Sequence, residues 1–155
     1  MRYISSLVIS FLLPVFVLRI SASTLQEGRP FIRNYTMKEY RAQQQNWIIT
    51  EDRQGLMMIG NSGGLLSFDG HNWELMKLPI MRGMVLDSTG RIFMGMENNL
   101  GYLETDSTGH YRFHSLKPLL PQKYRNLTPV FDIDIIDGKV IFQSNEYLFI
   151  YSNGR

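Results

Sequence analysis

The sequence predicts an all-β protein built of antiparallel meanders, the blades of a β-propeller, with about two and a half to three blades of an incomplete ring. Two observations carry this prediction. Apolar runs of four to six residues alternate with Asp-Gly and Gly-Gly turns, and runs of that length between such turns are typical of strands rather than helices. The runs also recur at intervals of 35 to 48 residues, close to the roughly 40–50 residues of a four-stranded blade.

Turn residues fix the register of the repeat. The segment 52–55 (Asp-Arg-Gln-Gly) precedes one apolar run, and the segment 87–90 (Asp-Ser-Thr-Gly) precedes another 35 residues later. A third copy begins at Asp137-Gly138, and its spacing is longer because the segment 115–129 is inserted before it. Aspartate hydrogen-bonds its own backbone in a turn and glycine adopts the positive φ that hairpins need, so these turns have a local physical reason.

Four runs fit each full repeat, which predicts an antiparallel meander of four strands. In the first repeat the runs are 47–50, 56–59, 65–68 and 73–76, and in the second they are 83–86, 92–96, 101–104 and 111–114. The corresponding blades are 46–78, 80–114 and 130–155. Methionine is frequent on these strands, and its flexible side chain is expected to fill the space between packed blades.

The third blade ends early. Asn153-Gly154 is a strong hairpin signal, and only Arg155 follows it. A propeller has about four to eight blades, and an open edge strand invites aggregation, so we expect this chain to be a fragment of a longer propeller. The segment 24–45 is interpreted as an N-terminal strand and linker, in which a strand at Pro30–Tyr35 would close the ring.

The N-terminus has the pattern of a signal peptide over residues 1–23. Arg2 is followed by the apolar run Ile4–Leu18 and then by the small residues Ser21-Ala22-Ser23. A signal peptide needs an apolar core of about 7–15 residues and a small-residue cleavage site, whereas a membrane span needs about 20 apolar residues. The alternative is an uncleaved anchor. The chain is predicted to be exported.

Composition and charge exclude several classes of function. Hydrophobic residues make up 44% of the 155 residues and aromatic residues 12%, which is enough for a packed core. Without Arg2 and Arg19 of the leader, 14 Lys and Arg stand against 14 Asp and Glu. No basic field is then available to bind nucleic acid or anionic lipid. The absence of cysteine excludes disulfides and thiolate chemistry.

The segment Gln45–Pro79 resembles the two-component regulator propeller repeat. In that repeat a strand ending in Asp is followed by a turn glycine, an apolar strand ending in Gly-Thr or Gly-Asn, a Gly-Leu pair and an aromatic-Asp-Gly turn. Here these features are Asp52, Gly55, Ile59-Gly60-Asn61, Gly64-Leu65 and Phe68-Asp69-Gly70. The preceding segment, Arg29–Trp47, is similar to the opening of such ectodomains in Bacteroidetes-type proteins.

The resemblance covers about Gly28 to Arg155. It departs from the repeat at Met57 and Met58, where the family often carries Trp, and at Ser144-Asn145, where the repeat has glycine. It implies a periplasmic sensor region, usually followed by a three-tyrosine immunoglobulin-like domain, a transmembrane helix and a histidine kinase or helix-turn-helix output. Many members sense oligosaccharides. The implied partners are missing C-terminal blades and an output domain of the same protein, with membrane contact only through the signal segment or a missing downstream helix.

Six residues are candidates for contact with a ligand: Trp47, Asn61, Arg82, Glu97, Asp132 and Asp134. An exposed tryptophan can stack on a sugar ring, and polar groups at a channel mouth can meet sugar hydroxyls. Asp132 and Asp134 alternate with apolar residues, so their carboxylates share one face of a strand about 7 Å apart. That separation is near the one in an inverting glycosidase. Catalysis, contact with a polar ligand and a plain solvated edge all stay open for this pair.

No motif predicts an enzyme or a cofactor. His110 and His114 would lie about 13 Å apart on a strand, too far to share one metal ion. The glycine-rich stretch 60–64 lacks the Lys-Ser or Lys-Thr of a phosphate loop, and no catalytic triad stands out. The prediction is a non-catalytic periplasmic sensor fragment without a cofactor or metal, with an oligosaccharide as its ligand. The alternatives are the N-terminal part of a propeller lyase or glycosidase, and a non-catalytic envelope scaffold.

Overall fold

A computed structural model describes residues 31–152 of the chain. The signal segment 1–23 and the turn Asn153-Gly154 therefore lie outside the described residues. The described chain begins with a short helix, α1 (Met37–Tyr40), and continues with eleven strands. They are β1 (Asn46–Glu51), β2 (Met57–Asn61), β3 (Gly64–Phe68), β4 (Trp73–Lys77), β5 (Met81–Leu86), β6 (Ile92–Met96), β7 (Asn99–Thr105), β8 (Tyr111–Ser115), β9 (Val130–Ile136), β10 (Lys139–Ser144) and β11 (Leu148–Tyr151). The predicted all-β fold is confirmed.

The strands form three antiparallel meanders, in which each strand pairs with the next one along the chain. We call them sheet 1 (β1–β4), sheet 2 (β5–β8) and sheet 3 (β9–β11). The predicted antiparallel pairing is confirmed, whereas the number of blades in a closed ring stays a prediction. Within residues 31–152, sheet 3 has three strands where the other two sheets have four.

Aspartate turns close the hairpins as their sequence predicts. Asp52 Oδ1 accepts hydrogen bonds from the backbone N–H groups of Gln54 and Leu56, both at 2.8 Å. The same pattern recurs at Asp87, which stands 35 residues later. Each turn thus satisfies its own backbone donors, so the hairpin does not depend on distant contacts.

The first strands of neighbouring sheets lie side by side, β1 against β5 and β5 against β9. Glycine on the second strand of a sheet permits this approach. A Cβ at Gly60 would lie 2.7 Å from the Ile48 side chain and 3.1 Å from that of Met81, and a Cβ at Gly95 would lie 2.6 Å from Val130. Because Gly60 and Gly95 are 35 residues apart, the repeat places glycine at the same point of both junctions.

The two cores between the sheets differ in composition. Methionine dominates the core between sheets 1 and 2, which buries Met58, Met81, Met84, Met94 and Met96. Aromatic and branched residues dominate the core between sheets 2 and 3, which buries Phe93, Leu100, Leu116, Leu127, Val130, Ile133, Val140 and Phe142. Methionine was expected to fill the gaps between sheets, and this is confirmed for Met58, Met94 and Met96, which are fully buried.

The segment before sheet 1 differs from the expected strand at 30–35. Residues 31–36 have no regular secondary structure, and α1 follows them. Tyr35 packs edge-on against Phe68 and Trp73, with ring centroids 5.1 and 5.2 Å apart, and Tyr40 also contacts Trp73. A strand needs a sheet edge to pair with, and here Tyr35 packs on the aromatic side chains of sheet 1 instead.

The inserted segment between sheets 2 and 3 forms two short 3-10 turns, Lys117–Leu119 and Gln122–Tyr124. The Arg125 guanidinium holds them together by donating to the carbonyl oxygens of Leu120 and Pro118, at 2.8 and 2.6 Å. Among residues 31–152, no helix is long and apolar enough to span a membrane.

Candidate functional site

A β-bulge occurs near the start of the first strand in all three sheets. In β1 the pairing passes from Asn46 to Ile48 and leaves Trp47 without a partner on β2. The pairing skips Arg82 in β5 and Phe131 in β9 in the same way. A bulge redirects its unpaired side chain and is common beside binding sites. The sheets have one side at which β1, β5 and β9 begin, and we call it the upper edge. The opposite side, where these three strands end, is the lower edge. Both names refer to the ends of strands and not to the outermost strand of a sheet.

The three bulge residues form a row along the upper edge. The Arg82 guanidinium carbon lies 3.8 Å from the centroid of the Trp47 ring and 5.8 Å from that of Phe131. Both distances are within the range of cation–π attraction. Trp47 and Phe131 nevertheless keep 41% and 43% of their surface exposed. The row therefore offers two accessible aromatic rings with a positive charge between them.

Each of the first two bulge residues is bonded to the turn between the second and third strands of its own sheet. Trp47 Nε1 donates to Ser62 Oγ at 2.9 Å, and an Arg82 Nη donates to Glu97 Oε1 at 3.1 Å. In both sheets the acceptor lies 15 residues after the donor. The repeat thus conserves the geometry of this contact while the residue types change, from a neutral pair to an ion pair.

The charge of Arg82 is balanced by Glu97, so the row has no excess positive charge. The Arg82 Nε is buried and has no hydrogen-bond partner among the described residues. Aromatic faces can pack on the apolar face of a sugar ring, while the Glu97 carboxylate can accept hydrogen bonds from hydroxyl groups. This chemistry suits an uncharged polyhydroxyl ligand better than an anion.

Asn61, one of the predicted contact residues, does not reach the surface. It is fully buried. Its Oδ1 accepts from the N–H groups of Gln43 and Gly63, at 3.1 and 2.7 Å, and its Nδ2 donates to Gln43 O and Asn46 Oδ1, both at 2.7 Å. The amide group has thus used both of its donors and two acceptor positions. Asn61 therefore holds the segment that leads into β1 in place through its bonds to Gln43 and Asn46, and it does not offer a free group to a ligand.

Asp132 and Asp134 lie apart from the row of bulge residues. Both are exposed on β9, opposite Gln143 and Ile141 of β10. Alternation along β9 puts them on the face of sheet 3 that points away from sheet 2, because Ile133 points into the core between those sheets. No contact in the described part of the chain joins either carboxylate to Trp47, Arg82 or Glu97.

The structure therefore brings together three of the six predicted residues, Trp47, Arg82 and Glu97, and adds two. Phe131 and Ser62 were not singled out from the sequence. The signal for Ser62 was present, since Trp47 and Ser62 stand 35 residues before Arg82 and Glu97. Phe131 could not be aligned in this way because the inserted segment shifts the third repeat. No group of three or more potential metal ligands is found within residues 31–152.

Comparison with known proteins gives a likeness of fold. No family model matches the chain, and no curated protein matches it. Among solved structures, the chain is similar to the extracellular domain of a protein assigned to the hybrid two-component systems of B. thetaiotaomicron, with 20% sequence identity and a TM-score of 0.57. The match covers 78% of this chain and 16% of that one. The chain thus shares its antiparallel all-β fold with part of a larger extracellular domain.

Proposed function

We propose that this chain forms part of the exported, ligand-sensing β-propeller of a transmembrane regulator of the two-component type, and that its upper edge contacts an oligosaccharide. The observation that carries the proposal is the row formed by Trp47, Arg82 and Phe131, because three bulges at equivalent positions direct these side chains to one edge. In this proposal the chain binds and carries no catalytic group of its own.

The likeness to an extracellular domain of a hybrid two-component system protein supports export and a sensory setting. That domain belongs to a chain about six times longer than the part that matches, as the 16% coverage implies. In the proposal, the periplasmic side of the inner membrane is the location of this chain.

The outer face of sheet 3 supports the presence of further sheets in the complete protein. This face carries Leu148 and Ile150, which are 66% and 61% exposed, and Ile136. The equivalent faces of sheets 1 and 2 are covered by the next sheet along the chain. Exposed apolar surface of this kind commonly marks an interaction site. We propose that additional blades of the same regulator cover it.

Isothermal titration calorimetry with oligosaccharides tests the ligand. The full chain would be titrated with neutral oligosaccharides from xylan and mannan and with an acidic one from chondroitin. We expect binding of a neutral oligosaccharide, and we expect Trp47→Ala to weaken it about tenfold because a stacking surface is lost.

Ile136→Ala is the control, because Ile136 is an exposed apolar residue at the end of β9, on the lower edge. It should leave the affinity unchanged. Equal loss of affinity in both variants, or no binding of any of the three oligosaccharides, would contradict the proposed contact at the upper edge.

A further inference from the structure

At the lower edge, a partly buried hydrogen bond joins sheets 1 and 2. The Tyr111 hydroxyl, at the start of β8, donates to Asp52 Oδ2, in the turn after β1. Asp52 is buried, and its other carboxylate oxygen is used by the turn itself. Burial, followed by the hydrogen bond to Asp52, raises the pKa of Tyr111 to about 12. Tyr111 therefore stays protonated and donates the hydrogen bond that connects the two sheets at this edge. We call this contact the seal of the junction.

Within residues 31–152, no side chain of sheet 3 donates a hydrogen bond to the equivalent aspartate at the next junction. Asp87 stands 35 residues after Asp52 and accepts with its Oδ1 from the backbone of its own turn in the same way. The hydrogen bonds to its carboxylate all come from residues of its own turn. In sheet 2 the donor is supplied by the fourth strand, β8, whereas sheet 3 is described only as far as its third strand, β11.

A cavity lies beside Asp87. It has a volume of about 680 Å³ and lies between sheets 2 and 3 at the lower edge, lined by Asp87, Arg91, Tyr102 and Tyr151 among others. A smaller apolar groove of about 170 Å³, lined by Leu100, Leu116, Phe149 and Tyr151, continues from it. Tyr151 lines both, so the two spaces lie along the edge of β11 with which no strand of residues 31–152 pairs.

The fourth strand of sheet 2 shows what would fit this space. Tyr111 and Phe113 are two residues apart on β8 and share one face. Both pack against the core between sheets 1 and 2, with Tyr111 nearer the lower edge. A strand paired with β11 in the same register would direct its first aromatic residue to the polar cavity at Asp87 and its second to the apolar groove.

We propose that the open edge of β11 and the groove beside it receive an extended strand with the pattern tyrosine-x-aromatic, whose tyrosine hydroxyl donates to Asp87 Oδ2. The strand comes from the same polypeptide in the longer regulator, and in this respect the inference rests on the proposed function. Edge pairing supplies main-chain hydrogen bonds, and the two spaces select the side chains. Asp87 is thereby a specificity residue for the strand as well as a turn former.

A synthetic peptide with the sequence of residues 109–116, Gly-His-Tyr-Arg-Phe-His-Ser-Leu, serves as the probe. Fluorescence anisotropy would measure its binding to the full chain. Replacing the peptide's tyrosine by phenylalanine should weaken binding about tenfold, because a hydrogen bond to a carboxylate is lost. Asp87→Asn in the chain keeps the turn acceptor Oδ1 and should cause a similar loss with the tyrosine peptide.

The two changes together form a double-mutant cycle. If the hydroxyl bonds to Asp87, the phenylalanine peptide should bind the Asp87→Asn chain no more weakly than it binds the unchanged chain. Asp69→Asn is the matched control, because Asp69 holds an exposed turn of sheet 1 by bonds to His71 and Asn72. It should leave peptide binding unchanged. Amide hydrogen exchange should slow at residues 148–151 when the peptide binds.

Independent effects in the cycle, or no binding of the tyrosine peptide, would overturn the inference. Self-association of the chain that protects residues 148–151 without peptide would also overturn it, since a second copy would then be the occupant. Oligosaccharide binding at Trp47 is measured in a separate experiment. A failure of the peptide to bind would therefore not affect the test of the proposed function.

Discussion

At the junction of sheets 1 and 2, Gly60 lies against Met81; at the junction of sheets 2 and 3, Gly95 lies against Val130. The glycine is in the same place, but its surroundings differ. Flexible methionine side chains fill the first core, and stiffer aromatic and branched side chains fill the second. The first junction is sealed at its lower edge by Tyr111 and Asp52, whereas the second has a cavity there.

This difference shows that some positions of the repeat recur in both sheets while others vary. The turn aspartates and the junction glycines recur because each has a local steric or hydrogen-bonding reason. The residues around them vary because a core needs only matching volume and shape. The seal at the lower edge depends on a strand that comes later in the chain, so it is present only where a fourth strand is described.

The largest expected effect concerns the two junction glycines. Gly95→Ala would place a Cβ 2.7 Å from the backbone oxygen of Val130, and backbone cannot move aside easily. We expect a loss of about 3 kcal/mol in the free energy of unfolding. Gly60→Ala meets side-chain atoms of Ile48 and Met81 instead, so we expect a loss of about 1–2 kcal/mol. Urea unfolding of both variants measures the difference, and equal losses would contradict the distinction between the two junctions.

A smaller effect concerns the seal at the first junction. Tyr111→Phe leaves the buried Asp52 carboxylate without its donor, which should lower the free energy of unfolding by about 1–3 kcal/mol. Tyr147→Phe removes a hydroxyl for which no hydrogen bond is found among the described residues, and should change stability by less than about 0.5 kcal/mol. The same urea measurement compares them. If the Tyr147 variant lost as much stability as the Tyr111 variant, the seal would not be the source of the effect.

The smallest effect is a pH dependence of the same contact. The pKa of Tyr111 is about 12 in the folded chain against 10.0 for an unperturbed tyrosine. Its contribution to stability is therefore complete below pH 10 and is lost as the pH rises toward 12. With solvent screening, the advantage of the unchanged chain over Tyr111→Phe should shrink by about 1 kcal/mol across that range. Unfolding curves at several alkaline pH values would show it, and a constant advantage would contradict the assignment.

Local structure could be predicted from the sequence. The strands of sheets 1 and 2 could be placed because the turns at Asp52 and Asp87 are made by neighbouring residues. Positions that depend on distant pairing could not be predicted. Asn61 was expected at the surface and is buried, because its partner Gln43 reaches it from another part of the chain.

The upper edge shows the same limit. Trp47 and Arg82 were each chosen as candidates, yet their contact depends on bulges that arise only when β1 and β5 pair with their neighbours. Phe131 had no distinguishing signal in an apolar run. A strand at 30–35 was expected because it would complete the last blade of a closed ring. Residues 31–36 have no regular secondary structure; no strand among the described residues pairs with them, and Tyr35 packs on Trp73 instead.

The indole N–H signals of the chain's two tryptophans can show whether an oligosaccharide binds at the upper edge. Trp47 lies at the proposed contact surface, and Trp73 is stacked on Phe68 beneath the N-terminal segment, so it serves as an internal control. In a nitrogen-15 correlation spectrum recorded during titration with a neutral oligosaccharide, we expect the Trp47 signal to move and the Trp73 signal to stay. A shift of Trp73 alone, or of neither indole, would contradict an oligosaccharide site at the upper edge.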